Sequence, residues 1–292
     1  MCDEHNFQEN EDYFKTHAQI NRRQFVTGML GVGLMMYLPM SANAKAVTQS
    51  YVTIKTPDGE ADAYFVHPSD GKHPAVLIWP DILGLRPAFE MMGKRLAESG
   101  YSVLVVNPYY RTQKAPVVGV GASFDDPDTR ATVMALAQTL SPETNVIDAK
   151  AFVQFLDQQK AVDTSKKIGT TGYCMGGPIV MRTAAAIPER IGAAASFHGG
   201  GLATDAENSP HLLIPKMKAR FLIAVAENDD QRDPKAKDTL SSSFASAGLK
   251  AEIEVYKGAL HGWCPPDSRV YNEAQAERAW SRLLVLLREA LA

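Results

Sequence analysis

The chain has 292 residues, 45% hydrophobic and 22% charged, with 30 Lys+Arg against 33 Asp+Glu. A net charge of −3 and no dense basic run argue against nucleic acid as the main partner. A mean hydropathy of −0.18 and no apolar run of about 18 residues exclude a polytopic membrane protein. The three cysteines, Cys2, Cys174 and Cys264, have neither metal-site spacing nor the pattern of a disulfide framework.

Residues 1–44 read as a leader rather than as part of a fold. Asn21-Arg22-Arg23-Gln24-Phe25-Val26 opens an uncharged stretch to Leu38, and Ala42-Asn43-Ala44 supplies small residues two apart. A charged start, a short apolar middle and an Ala-x-Ala end make a secretory signal. The arginine pair ahead of the apolar segment predicts twin-arginine export, cleavage after Ala44 and a periplasmic or secreted protein without stable membrane insertion. An uncleaved anchor has the same ingredients. Cleavage would remove five acids and three bases, leaving 45–292 as one nearly neutral domain.

Beyond the leader, strands and helices alternate. Tyr51–Thr56 and Ala61–His67 flank Pro57-Asp58-Gly59 and predict a hairpin. Pro74–Pro80 and Ser102–Asn107 are short branched runs, as expected of strands buried on both faces. Between them Pro87–Glu98 has helical spacing and stops at Ser99-Gly100. Helices are expected at Asp128–Leu140 and Thr144–Gln158, then near Pro178–Ala186, Lys237–Ala247 and Tyr271–Leu291. Further strands are expected at Lys167–Tyr173, Ala193–His198, Arg220–Ala226 and Ala251–Tyr256. The pattern predicts an α/β fold, a mainly parallel sheet with helices on both faces and active residues at the strands' carboxyl ends. The long irregular stretch Thr112–Pro127 is a candidate loop over the site.

The chemistry centres on Gly172-Tyr173-Cys174-Met175-Gly176-Gly177, which follows a short strand and precedes an Ala-rich helix. A nucleophile on so sharp a turn needs glycine at minus two and plus two, because a side chain there would clash. The helix start favours a thiolate, and the Met175 N–H can donate to an oxyanion. In this order along the chain, an acid and a histidine follow. Strand Arg220–Ala226 runs into Glu227-Asn228-Asp229-Asp230, and strand Ala251–Tyr256 leads to His261-Gly262-Trp263. His261 is the expected base, with Asp229 as its partner and Asp230 as the alternative that spacing alone does not separate. His198, at a strand end before three glycines, is placed to line the site.

These motifs resemble the dienelactone hydrolase family of the α/β-hydrolase superfamily over roughly residues 51–291. The resemblance implies hydrolysis of a carboxylic ester or lactone, a small-molecule substrate, through a Cys–His–Asp triad and an acyl-thioester, without metal or organic cofactor. It makes Cys174 the nucleophile, His261 the base and Asp229 its partner. It assigns the second oxyanion donor to Ile82 in Trp79-Pro80-Asp81-Ile82-Leu83-Gly84, and a thiol-activating role to Asp81, where the family has a glutamate one methylene longer. Arg111 in Asn107-Pro108-Tyr109-Tyr110-Arg111 matches one of the family's two substrate-carboxylate arginines. The other position falls in Cys264-Pro265-Pro266, which has none. Tyr110, His198 and Trp263 complete the expected substrate-binding set. The alternatives are cleavage of another acyl bond, thioester or peptide, on the same scaffold, or an exported binding protein that has lost activity. Cys264, three residues after His261, has two readings: a resolving thiol for Cys174, or an apolar side chain packed beside Trp263.

Overall fold

A computed structural model describes residues 44–292, so the expected leader, all but Ala44, lies outside the described residues. Eight strands form one sheet: β1 (Val47–Thr56), β2 (Gly59–Pro68), β3 (Ala75–Trp79), β4 (Ser102–Val106), β5 (Ile168–Tyr173), β6 (Ile191–Phe197), β7 (Arg220–Ala226) and β8 (Ala251–Tyr256). Their spatial order is β1-β2-β4-β3-β5-β6-β7-β8. Strands β1 and β2 form the expected hairpin, with Thr56 paired to Gly59, and β2 runs antiparallel to β4. All pairs from β4 to β8 are parallel.

The helices are α1 (Pro87–Glu98), α2 (Pro127–Ala137), α3 (Pro142–Asp157), α4 (Gly176–Ala186), α5 (Glu227–Arg232), α6 (Pro234–Ser246) and α7 (Glu273–Ala290), with a 3-10 helix at Pro210–Lys216. Period-two alternation divides the sheet's side chains between two cores. Leu77 and Trp79 point to one core with Phe152 of α3 and Val180 of α4. Val76 and Ile78 point to the other with Phe89 of α1 and Leu283 of α7. A sheet covered on both faces leaves its strand ends as the open place for chemistry. The α1 segment begins with Pro at its first turn and stops where Gly100 takes φ 102°, as its punctuation predicts. The short α5 and the 3-10 helix are additions to the expected elements.

Candidate active site

Strand β5 delivers Cys174 with φ 52°, a left-handed conformation costly for a residue with a Cβ. The turn is held from both sides: the Cys174 N–H donates to the Phe197 carbonyl, and the Gly177 N–H donates to the Cys174 carbonyl, each at 3.0 Å. The flanking glycines are there for space. A Cβ on Gly172 would lie 2.3 Å from the Gly176 carbonyl oxygen. One on Gly176 would lie 2.4 Å from the Trp79 carbonyl oxygen, and one on Gly177 2.6 Å from Cα of Gly199. The elbow therefore closes tightly on the ends of β3 and β6.

The loop after β3 is a fixed turn. Asp81 accepts from the Leu83 N–H on its side chain and from the Gly84 N–H on its carbonyl, both at 2.9 Å. The Ile82 amide is not used by that turn. Tyr109 ties the turn to the elbow: its hydroxyl donates to the Ile82 carbonyl at 2.8 Å and lies 3.2 Å from the Met175 sulfur. Ile82, Cys174 and Met175 pack in one cluster.

His261 comes from the segment after β8, and Asp229 from α5, directly after β7. The imidazole Nδ1 lies 2.7 Å from Asp229 Oδ2, and the pair is almost wholly buried. A carboxylate only accepts, so Nδ1 carries the proton. The His261 backbone N–H donates to Asn228 Oδ1 at 2.9 Å, and the Gly258 N–H to Glu227 Oε2 at 3.0 Å. Three consecutive acid-loop residues thus hold the histidine loop. Asp230 faces elsewhere, on Lys237 at 2.6 Å.

Cys174, His261, His198, Asp81 and Ile82 line one cavity of about 340 Å³. The expected loop over the site contributes residues 121–125 to its wall, and residues 267–270 face it. An Arg269–Asp125 ion pair at 2.8 Å joins those two segments. Cys174 is disulfide-bonded in the structure, so the chemistry below belongs to the reduced thiol.

His198 is fully buried at φ 41°, its ring edge-on to His261 at 5.2 Å and to Trp263 at 5.0 Å. Neither ring nitrogen has a hydrogen-bond partner among the described residues. Burial, and then the neighbouring His261, push its pKa well down, so the ring is neutral.

Several expected site residues stand elsewhere. Arg111 is bound by two carboxylates, Asp148 and Asp58, each at 2.6 Å, and stacks over Tyr110. The Tyr110 hydroxyl is likewise held by Asp148 and Thr56 at 2.8 Å. Neither lines the Cys174 cavity; an arginine satisfied by two carboxylates braces the hairpin turn against α3. Trp263 is fully buried, stacked on Tyr256, and backs His198 instead of facing the cavity. Cys264 is a free, buried thiol in the core of the opposite sheet face, its pKa pushed well up by burial. Cys264 thus packs as an apolar side chain, and its thiol is not bonded to Cys174 in the structure.

Sequence reasoning missed Arg86. Burial opposes its charge, but Asp81 and then Asp267 outweigh that and hold its guanidinium protonated. It donates to Asp81 at 2.7 and 3.0 Å and to Asp267 at 2.6 and 2.9 Å. Both Asp81 oxygens are therefore engaged by Arg86. The signal was a lone charge in the apolar segment 82–86; its partner 181 residues away had none.

A dienelactone hydrolase family model matches residues 61–291. The carboxymethylenebutenolidase of Rhodococcus opacus is 24% identical over 242 residues, covering 80% of this chain and 90% of its own. Among solved structures, a dienelactone hydrolase-type protein of Klebsiella pneumoniae superposes with TM-score 0.72 at 21% identity, over 84% of this chain and all of that one. A dienelactone hydrolase-like promiscuous phosphotriesterase from metagenomic libraries does so with TM-score 0.69 at 19% identity, over 85% of this chain and all of that one. The sheet order, the glycine-bounded elbow and the family match converge: the chain belongs to the dienelactone hydrolase family of the α/β-hydrolase superfamily and is a hydrolase of ester or lactone bonds.

Proposed function

We propose that this hydrolase works by thiol nucleophilic catalysis with Cys174, His261 and Asp229. The observation that carries the reading is a left-handed Cys174 sharing one cavity with a histidine whose far nitrogen is fixed on a buried carboxylate. His261 Nε2 takes the thiol proton, and the sulfur attacks the ester carbonyl carbon. The negative charge moves to the carbonyl oxygen, where the Met175 and Ile82 amides serve as donors. The tetrahedral species collapses, the C–O bond breaks, and the leaving alkoxide takes the proton from His261. An acyl-thioester remains. Water, giving a proton to His261, attacks it and releases the acid, and the proton returns to the sulfur.

Asp229 keeps Nδ1 protonated and stabilises the transient imidazolium. Asp81 lies on the cavity wall with both oxygens on Arg86, so in this chain the thiol proton goes to His261, and the Asp81–Arg86–Asp267 cluster fixes the oxyanion turn. The proposal includes twin-arginine export with cleavage after Ala44. Lys45, the new N-terminus, already has its backbone N–H on the Glu98 carbonyl at 2.9 Å.

Reduced protein assayed on p-nitrophenyl acetate, butyrate and simple lactones tests the chemistry. Turnover is expected, falling in step with iodoacetamide modification of Cys174. Undiminished turnover by fully alkylated protein would refute the thiol mechanism.

A further inference from the structure

Beside the catalytic cavity lies a second one of about 690 Å³, and the two share Ile82. Met175 and Asp229 also line the larger space, so it opens against the elbow itself. Its walls are largely apolar, with Met134 and Leu140 on one side and Leu202, Val225 and Leu240 on others. An apolar cavity of this size with a few placed polar groups is the usual form of a small-molecule subsite.

Its charges are unevenly satisfied. On the α5–α6 wall Asp229 holds His261 and Arg232, Asp230 holds Lys237, and Asp233 adds a third carboxylate. On the α3–α4 wall stands Arg182, which forms no ion pair among the described residues. Its one hydrogen bond is a long one, 3.3 Å from a terminal nitrogen to Asn145 Oδ1, and its Nε is buried without a partner. Burial pushes its pKa down, partly offset by Glu143, which sits in the first turn of α3 and is not within ion-pair distance. A partly buried guanidinium that none of the cavity's carboxylates reaches is costly unless another anion completes it. Arg182 lies six residues into α4 from Gly176, about 9 Å along the axis from the elbow.

The anion site implied by the family resemblance is not available, because Arg111 is spent on Asp58 and Asp148. We propose that the larger cavity is the acyl subsite and that Arg182 binds a terminal carboxylate there. The substrate class is then an ester of an apolar acid bearing a second anionic group at its far end. This rests on the thiol-hydrolase reading, since it is the acyl group on Cys174 that would occupy the cavity.

The test compares p-nitrophenyl hydrogen suberate with p-nitrophenyl octanoate, which differ in a terminal carboxylate against a methyl group. Wild type is expected to favour the suberate in kcat/KM by about ten-fold or more, chiefly through KM, as a charged hydrogen bond supplies. The ratio should fall to near one in Arg182→Gln and stay intermediate in Arg182→Lys. Should Arg182→Gln not fold, competitive inhibition of wild type by free suberate against octanoate gives the same comparison. Equal rates and equal inhibition for the two, or a suberate preference that survives Arg182→Gln, would overturn the subsite. p-Nitrophenyl acetate separates the two failures. Acetate turnover without suberate preference sinks Arg182 alone, whereas no turnover of any ester sinks the hydrolase reading beneath it.

Discussion

Asp229 and Asp230 are adjacent in sequence, yet only Asp229 meets the histidine, at 2.7 Å from His261 Nδ1, while Asp230 turns to Lys237 at 2.6 Å. The difference comes from α5: Asn228 and Asp229 both face the His261 loop, the first on its backbone amide and the second on its ring. The two acids therefore predict different kinetics.

Asp229→Asn should leave the fold intact and lower kcat by about 10²–10⁴-fold, because an amide in place of the carboxylate favours the wrong imidazole tautomer. Asp230→Asn, which loses only a half-exposed contact to Lys237, should stay within a few-fold of wild type. Steady-state kinetics on p-nitrophenyl butyrate decides between them. Equal losses in both variants would remove the basis for assigning Asp229.

His198 gives a pH dependence of stability. Its folded-state pKa is depressed by burial and by His261, so the unfolded chain binds this proton more readily than the native one. Stability from this group is complete above the unfolded histidine value of about 6.5 and is lost as pH falls below it towards the depressed folded value. The loss is up to about 1.4 kcal/mol for each pH unit crossed in that window. Tm measured from pH 7.5 to 5 should fall for wild type and fall less for His198→Phe. Parallel curves for the two proteins would contradict the assignment.

Export is checked in the native host. The mature N-terminus should be Lys45, and replacing Arg22 and Arg23 together by lysine should retain the precursor in the cytoplasm. Full-length, untrimmed protein in the soluble cytoplasmic fraction would exclude the route.

Much of this frame was legible because its signals are local. The α1 bounds were readable from Pro87 and Ser99-Gly100, and β7 and β8 from branched runs between polar segments. The elbow was readable because its residues form one continuous Gly-x-Cys-x-Gly run between a strand and a helix, although the Gly176 and Gly177 clashes are with Trp79 and Gly199, distant in sequence. What stayed hidden depends on distance in sequence. Arg86 finds Asp267 across 181 residues, and Arg111 is withdrawn from the site by Asp58 and Asp148, 53 and 37 residues away. No periodicity encodes such pairings. The α5 turn is too short and too polar to show a helical face, so the reason for choosing Asp229 over Asp230 was invisible until β7 and β8 lay side by side.

The most direct measurement is to trap the acyl-enzyme. Reduced wild-type protein is mixed with p-nitrophenyl butyrate, quenched in acid during turnover and peptide-mapped by mass spectrometry. A butyryl group on Cys174 is predicted, absent in Cys174→Ala, whose kcat should be at least ~10³-fold lower. Butyryl transfer to another residue, or sustained turnover by Cys174→Ala, would contradict a Cys174 nucleophile.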